Sequence, residues 1–248
     1  MKMNRILSTL AIGSMVSFAL FSGCKKDDNA TTNPTTIPVQ TKLMATVPLV
    51  GASDFAVLAG SSINSTGATT IIGDLGLNPG TSVGGFPPGI LTGTSCINNM
   101  ISTKAKLDLT AAYNDAAGRT STDIVTLSGN IGGMTLTPGL YKSTSSMEIS
   151  SGDLTFDAKG DANAVFIMQI ASTLTTTSGR KVILSGEAKA SNIFWQVGSS
   201  ATFGTSCVFK GTILAMQSIT FNAGATLDGR ALARNGAIVM AGNTIVKE

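Results

Sequence analysis

The chain has 248 residues, enough for one sizeable domain, but only 12% are charged, about half the share in ordinary globular proteins. Histidine is absent, which removes the commonest general base and metal ligand and argues against an enzyme or a metal centre. The formal charge of +3 falls to +1 without residues 1–23, because Lys2 and Arg5 are lost against no acid. A chain so close to neutral has no general attraction for nucleic acid.

The N-terminus predicts an export signal at 1–23. Lys2 and Arg5 precede a mainly apolar run from 6 to 21 that is short for a spanning helix. Phe21-Ser22-Gly23-Cys24 then resembles the lipobox of bacterial lipoproteins, although Phe21 stands where Leu is usual. The resemblance implies acylation of Cys24 and a lipid-anchored protein of the bacterial cell envelope. The alternatives are an ordinary signal peptide with a chance cysteine, which would give a secreted protein, or a retained membrane helix.

Residues 24–46 are predicted to be a flexible tether. They are charged at first, then rich in Thr, Pro and Asn, and show no apolar period. The folded domain is then expected over 47–248. It contains Cys96 and Cys207, an even pair that permits a disulfide in an exported protein, the alternative being two buried thiols.

A helix is predicted over about 97–117. Its apolar residues recur every three or four positions, and Gly118 follows as a stop signal. The apolar positions are Ile97, Ile101, Ala105, Leu109, Ala112 and Ala116. An amphipathic helix of this length must pack beside the rest of the domain.

The second half of the chain contains a repeat. Three segments align at an offset of 18 residues, and they begin at Ala201, Ile219 and Ala237. Upstream, residues 166–170 align with 193–197 at an offset of 27, which indicates nine extra residues around Glu187 to Lys189. Short alternating strands at this period predict a mainly β fold, a three-sided right-handed-type β-solenoid with about 18 residues per coil and the helix packed alongside.

Seven short motifs follow one another along the chain. They occupy residues 47–49 (VPL), 52–59 (ASDFAVLA), 73–80 (GDLGLNPG), 111–119 (AAYNDAAGR), 136–142 (LTPGLYK), 194–198 (FWQVG) and 229–233 (GRALA). Together they resemble the microbial ice-binding (antifreeze) protein family, whose members have a discontinuous β-solenoid and a long parallel helix. The match covers residues 47–248. It implies that one flat solenoid face binds ice through small residues and Thr, in places as Thr-Ala/Gly-x-Thr/Asn, which Thr66-Gly67-Ala68-Thr69 matches.

The candidate ice contacts are the outward positions of the repeated strand and the matched motif. They are Asn64, Thr66, Thr69, Ser150, Thr175, Thr177, Thr202, Thr220 and Asn222. The 18-residue register also places on this face three residues that depart from the pattern of Thr and small side chains, Glu148, Ile238 and Met240. It predicts that Val239 points inward. The alternative explanation for an outward Thr is its preference for strands.

Other functions remain open at this point. Asp153, Asp157 and Asp161 form the one local acidic cluster, which could serve an enzyme or calcium but is more typical of turns. A lipid-anchored adhesin or glycan-binding module would also suit a Thr-rich solenoid, although Trp195, the single Trp, is expected in the core. Lys210 and Asp228 are predicted to pair on adjacent coils. We expect a monomer with no cofactor or metal, whose partners are ice and, through Cys24, a membrane.

Overall fold

A computed structural model describes residues 37–248. The predicted signal peptide, Cys24 and the tether up to residue 36 lie outside the described residues. Within the described part, no helix has both the length and the apolar character needed to span a membrane.

The described chain forms short strands, one α-helix and two 3₁₀ turns. The helix α1 is Met100–Gly118, and the 3₁₀ turns are Val50–Asp54 and Ala190–Asn192. The strands are β1 Phe55–Ala59, β2 Ser62–Thr66, β3 Thr70–Ile72, β4 Asp74–Leu77, β5 Ser82–Gly84, β6 Ile90–Thr92, β7 Ser95–Ile97, β8 Val125–Thr126, β9 Gly129–Asn130, β10 Thr135–Leu136, β11 Gly139–Ser143, β12 Met147–Ile149, β13 Leu154–Asp157, β14 Phe166–Ile170, β15 Leu174–Thr176, β16 Val182–Ser185, β17 Ile193–Val197, β18 Ala201–Phe203, β19 Val208–Ala215, β20 Ile219–Phe221, β21 Thr226–Ala233, β22 Ile238–Ala241 and β23 Thr244–Val246.

The strands build three walls, each a sheet of parallel strands, as the predicted solenoid requires. The flat face is the eight-stranded sheet β5-β2-β22-β20-β18-β15-β12-β9. The helix face contains β7, β4, β1, the second halves of β21 and β19, then β17, β14, β11 and β8. The third face contains β6, β3, β23, the first halves of β21 and β19, then β16, β13 and β10.

The long strands β19 and β21 turn a corner between two walls at Gly211 and Gly229. Both glycines have positive φ, 108° and 142°. A Cβ at Gly229 would lie 2.1 Å from the carbonyl oxygen of Gly211 in the neighbouring coil. Glycine is therefore required at this corner, both for its backbone conformation and for the close stacking of the coils.

The order of coils in the stack differs from their order in the chain. The coil that contains β2 stacks on the C-terminal strand β22, and the β5–β7 coil lies beyond it at one end of the solenoid. Helix α1 then leads from this end towards β8, the strand at the opposite end of the helix face. A 19-residue helix is roughly 28 Å long, the height of about six coils at 4.8 Å each.

The predicted helix is confirmed, with a start three residues later than expected. Asn99 accepts a hydrogen bond from the Ser102 backbone N–H, and the Ser102 hydroxyl accepts one from the Asn99 N–H, so a capping box fixes the first turn. Ile97 belongs to β7 instead, and Ile101 is exposed. The buried face combines the four predicted positions from Ala105 onward with Ser102, Lys106 and Tyr113.

The core lies inside the three walls and is rich in aromatic rings. Trp195 is fully buried, as predicted, and its indole N–H donates to the Lys210 carbonyl at 2.9 Å. Phe203 and Phe221 stack with their ring centroids 4.8 Å apart. A second apolar cluster joins the helix face to α1 and includes Leu58, Leu109 and other residues of both elements.

The predicted repeat is confirmed except on the flat face of the last coil. Phe166 pairs with Ile193 at the offset of 27, and the nine extra residues fall on the turn and 3₁₀ helix before β17. Ala201 pairs with Ile219 at the offset of 18, but Ile219 pairs with Ile238, at an offset of 19. The extra residue enters at the preceding corner, so the predicted orientation of Ile238, Val239 and Met240 is wrong: Ile238 and Met240 are buried and Val239 points outward.

The folded unit begins at Ile37, ten residues before the predicted start. The Gln40 side-chain oxygen accepts from the Leu140 N–H at 2.8 Å, and a carboxylate oxygen of Asp123 accepts from the N–H groups of Thr41 and Lys42. The last part of the predicted tether is therefore held against the domain.

The disulfide between Cys96 and Cys207 is not formed. Both are free, buried thiols, Cys96 in the cluster beneath the helix and Cys207 in the solenoid core. Burial also raises the pKa of the Cys207 thiol, which keeps it protonated and unreactive.

Candidate functional site

The flat face presents three parallel rows of outward side chains. The central row contains, from the β5 end to the β9 end, Gly84, Asn64, Val239, Thr220, Thr202, Thr175, Glu148 and Asn130. Two positions later in each strand lies the outer row, Thr66, Ala241, Asn222, Gly204, Thr177 and Ser150. Two positions earlier lies the serine row, Ser82, Ser62, Ala237, Ser218, Ser200, Thr173 and Ser146.

Strand alternation creates this surface. Thr202 and Thr220 are half-buried and point outward, while their neighbours Phe203 and Phe221 are buried in the core. Neighbours within a row lie about 4.8 Å apart, and neighbours in adjacent rows of one strand about 6.6 Å apart. The face is therefore a two-dimensional grid of short side chains on a rigid sheet.

Charge is almost missing from the grid. Among the described outward positions of the three rows, Glu148 is the single ionisable side chain, and one of its carboxylate oxygens accepts from the Ser150 hydroxyl at 3.0 Å. The other positions carry hydroxyls, amides, methyl groups or hydrogen. Such a surface lacks the strongly held hydration shells of ions.

Several side chains of the grid are tied to the backbone or to each other. The Thr177 hydroxyl donates to the Ser150 carbonyl at 3.2 Å, and the Thr173 hydroxyl donates to the Ser146 hydroxyl at 2.8 Å. The Ser200 hydroxyl accepts from the Ser218 N–H at 3.3 Å. These bonds cross between coils and restrict the rotamers of the side chains that make them.

Eight of the nine predicted contact residues lie on this face. Asn64, Thr175, Thr202 and Thr220 belong to the central row, and the outer row contains the other four, Thr66, Ser150, Thr177 and Asn222.

Thr69 is the exception among the predicted contacts. It is fully buried at a corner, where its hydroxyl oxygen accepts from the Ser65 hydroxyl at 2.7 Å and from the Asn243 N–H at 3.2 Å. Thr69 is therefore a structural residue, and its assignment as a contact was wrong.

The serine row was missed by the sequence reasoning. Ser200 and Ser218 lie just before the first assigned residue of their strands, so a search restricted to the repeated strand excludes them. The period of two residues continues through them, however, and extending the alternation by one step would have found the row.

The third face does not form an uncharged grid like that of the flat face, because charged side chains interrupt it. The Lys210 ammonium lies 2.8 Å from an Asp228 carboxylate oxygen on the next coil, which confirms the predicted pair. Arg180 and Asp153 approach to 3.9 Å on the same side. The helix face is covered by α1.

The acidic cluster has turn chemistry, as predicted. Carboxylate oxygens of Asp157 and Asp161 accept from the backbone N–H two residues later, and one of Asp153 accepts from the Lys181 N–H. A hydrogen bond from Lys159 holds the pKa of Asp157 below its usual range. Within residues 37–248, no three His, Cys, Asp or Glu side chains come together as a metal site would require.

Comparison with known proteins identifies the family. A family model described as ice-binding-like matches residues 57–246. The chain belongs to the ice-binding-like family. An ice-binding protein of Nostoc sp. (strain HG1) is 44% identical over 204 residues, which are 81% of this chain and 74% of the relative.

Solved structures of the family share the fold. The crystal structure of an ice-binding protein from an Antarctic biological consortium has a TM-score of 0.85 and 67% identity, covering 86% of this chain and 96% of that one. An ice-binding protein from an Arctic yeast has a TM-score of 0.73 at 31% identity, covering 82% and 94%. These relatives are ice-binding proteins by name, and none of them is named as an enzyme.

Proposed function

We propose that residues 37–248 adsorb to ice through the flat face and thereby inhibit ice growth or recrystallisation. The observation that carries this proposal is the grid of three nearly uncharged rows on a rigid parallel sheet. Family membership and the names of the relatives support it.

The chemistry of threonine explains why such a grid suits ice. Its β-branched side chain has a stiff χ1, so its methyl and hydroxyl groups keep fixed positions. The methyl group favours ordered water around it, and the hydroxyl can bind that water at regular intervals. A long charged side chain would impose its own hydration and lose about 1.5–2 kcal/mol of rotamer entropy if it were immobilised.

Microscopy of single ice crystals in a solution of residues 37–248 tests this function. Crystals should become faceted, and their growth should stop between the melting and freezing points. Crystals that keep growing as plain discs at high protein concentration would contradict the proposal. The protein should begin at Ile37, because the contacts of Gln40 and Asp123 belong to the fold.

We further propose that the domain is exported and held in the bacterial envelope by a lipid on Cys24. The lipobox-like sequence that ends at Cys24 supports this localisation. An anchored ice-binding domain would attach the cell that carries it to ice.

A further inference from the structure

The chain enters the solenoid at one defined end. The entry segment, residues 37–46, packs beside β11 and the loop after α1, near the end formed by β8. The Arg119 guanidinium donates to the carbonyls of Ala45 and Thr46, in addition to the bonds made by Gln40 and Asp123. The point at which the tether meets the domain is therefore fixed.

Two large apolar side chains of the entry segment are exposed at this end. Val39 is 68% exposed and Leu43 75%, whereas Gln40 is buried and Met44 packs against the cluster beneath the helix. The cation of Lys42 lies between them in sequence. Lys42, Leu43 and Met44 also line an open groove of about 580 Å³ whose other wall is Thr120–Thr122.

No described residue covers Val39 or Leu43, and the sequence indicates what lies close to them. Twelve residues, 25–36, separate Cys24 from Ile37. The composition of this segment predicts a flexible tether, for which the expected end-to-end distance is roughly 20 Å, so an acylated Cys24 would keep the membrane within reach and at a high effective concentration. Apolar side chains beside a lysine are suited to the boundary between headgroups and acyl chains.

We propose that this end of the solenoid rests on the lipid bilayer, with Val39 and Leu43 in its interfacial layer. The proposal rests on the lipid anchor proposed above. The solenoid axis would then rise from the membrane, and the β5–β7 coil would lie farthest from it, eight coil steps or roughly 38 Å from β8. The flat face would stand beside the axis, open to ice and not pressed against lipid.

Site-directed spin labelling of the full-length lipoprotein in vesicles tests this orientation. A nitroxide is placed at residue 43 through Leu43→Cys, and in separate proteins through Leu107→Cys and Thr81→Cys. Leu107 is a matched control, because it is a leucine of similar exposure, 68%, on the outer side of α1. Thr81 is exposed just before β5. The native Cys96 and Cys207 are buried and should not be labelled.

The measured quantity is the ratio of collisions with oxygen, which enters lipid, to collisions with a water-soluble nickel chelate. In vesicles of phosphatidylethanolamine and phosphatidylglycerol, the ratio at residue 43 should exceed that at 107 and 81 several-fold. Val39→Glu should bring it back towards the control values. Equal ratios at all three sites in protein shown to be acylated by mass spectrometry would overturn the proposal, and so would the absence of a lipid on Cys24.

Ice-growth microscopy of the same proteins separates this proposal from the proposed function. Equal ratios together with normal ice shaping would reject the membrane contact alone. A high ratio at residue 43 without ice shaping would support the contact and reject the ice function.

Discussion

Thr220 and Phe221 are neighbours in the chain with opposite roles. The hydroxyl and methyl groups of Thr220 point out from the central row, while the Phe221 ring is buried and stacks on Phe203. Because alternation decides both orientations, the two positions separate binding from stability at the scale of one residue.

We predict that Phe221→Ala destabilises the domain by about 3–5 kcal/mol, through lost burial and a cavity in the core. Denaturant unfolding followed by circular dichroism measures this change. Any loss of ice activity should follow the unfolded fraction. A destabilisation of less than about 1 kcal/mol would show that the ring is not in the core as described.

Glu148 is the single charged side chain that interrupts the central row, between Thr175 and Asn130. We predict that Glu148→Thr makes the central row uncharged as far as Asn130 and raises ice-growth inhibition at equal protein concentration. Lys142→Thr is the control, because it removes a charge from the same coil but from the helix face. No gain for Glu148→Thr, or an equal gain for both variants, would show that the row does not reach β12.

At the scale of elements, α1 is joined to the solenoid by polar contacts as well as by its apolar face. The Gln169 side-chain amide donates to the carbonyls of Ala116 and Arg119 and so closes the C-terminus of the helix. The Lys106 amine donates to the carbonyls of Ala233 and Arg234 at 2.5 and 2.6 Å. These bonds fix the position of the helix along the solenoid.

The Lys106 contact predicts a dependence of stability on pH. Burial, with the nearby Arg234 charge, lowers the pKa of Lys106 from 10.5 to about 7 in the folded protein. Between these values the unfolded chain binds the extra proton, so the free energy of unfolding should rise with pH from about 7 towards 10.

The expected slope that Lys106 contributes is about 1 kcal/mol per pH unit between pH 8 and 10. Denaturant unfolding at several pH values measures it, with Lys106→Met as the control that lacks this contribution. Parallel curves for the two proteins would contradict the lowered pKa.

At the scale of the whole molecule, the sequence repeat predicted the solenoid and most of the grid, because inward and outward side chains alternate in the same way along the equivalent strand of each coil. It failed where a corner gained a residue, at Ile238–Met240, since residues 237–241 are all apolar and show no alternation that would reveal the shift. The family motif at residues 66–69 wrongly assigned Thr69 to the surface, because a motif gives residue order but not the direction of a side chain at a corner. The contacts of Gln169 and Lys106 join residues far apart in sequence and had no local signal.

The anchor makes a separate prediction for the whole chain. Cys24→Ser should leave the protein unprocessed or release it from the membrane fraction, because the acylated sulfur would be missing. Fractionation of producing cells and mass spectrometry of the mature N-terminus measure this. Wild-type protein without lipid would show that the signal is of the ordinary secretory type.

The central claim is that the flat face contacts ice, and ice-growth inhibition by Thr220→Tyr tests it most directly. The bulky ring should stand above the grid and hold its neighbours away from the ice, while the stability of the protein changes by less than about 0.5 kcal/mol. Thr226→Tyr is the matched control, a half-buried Thr in the following strand but on the third face. We predict that Thr220→Tyr loses most of the activity and Thr226→Tyr keeps it; full activity in Thr220→Tyr, with loss in Thr226→Tyr, would place the ice contact on the third face.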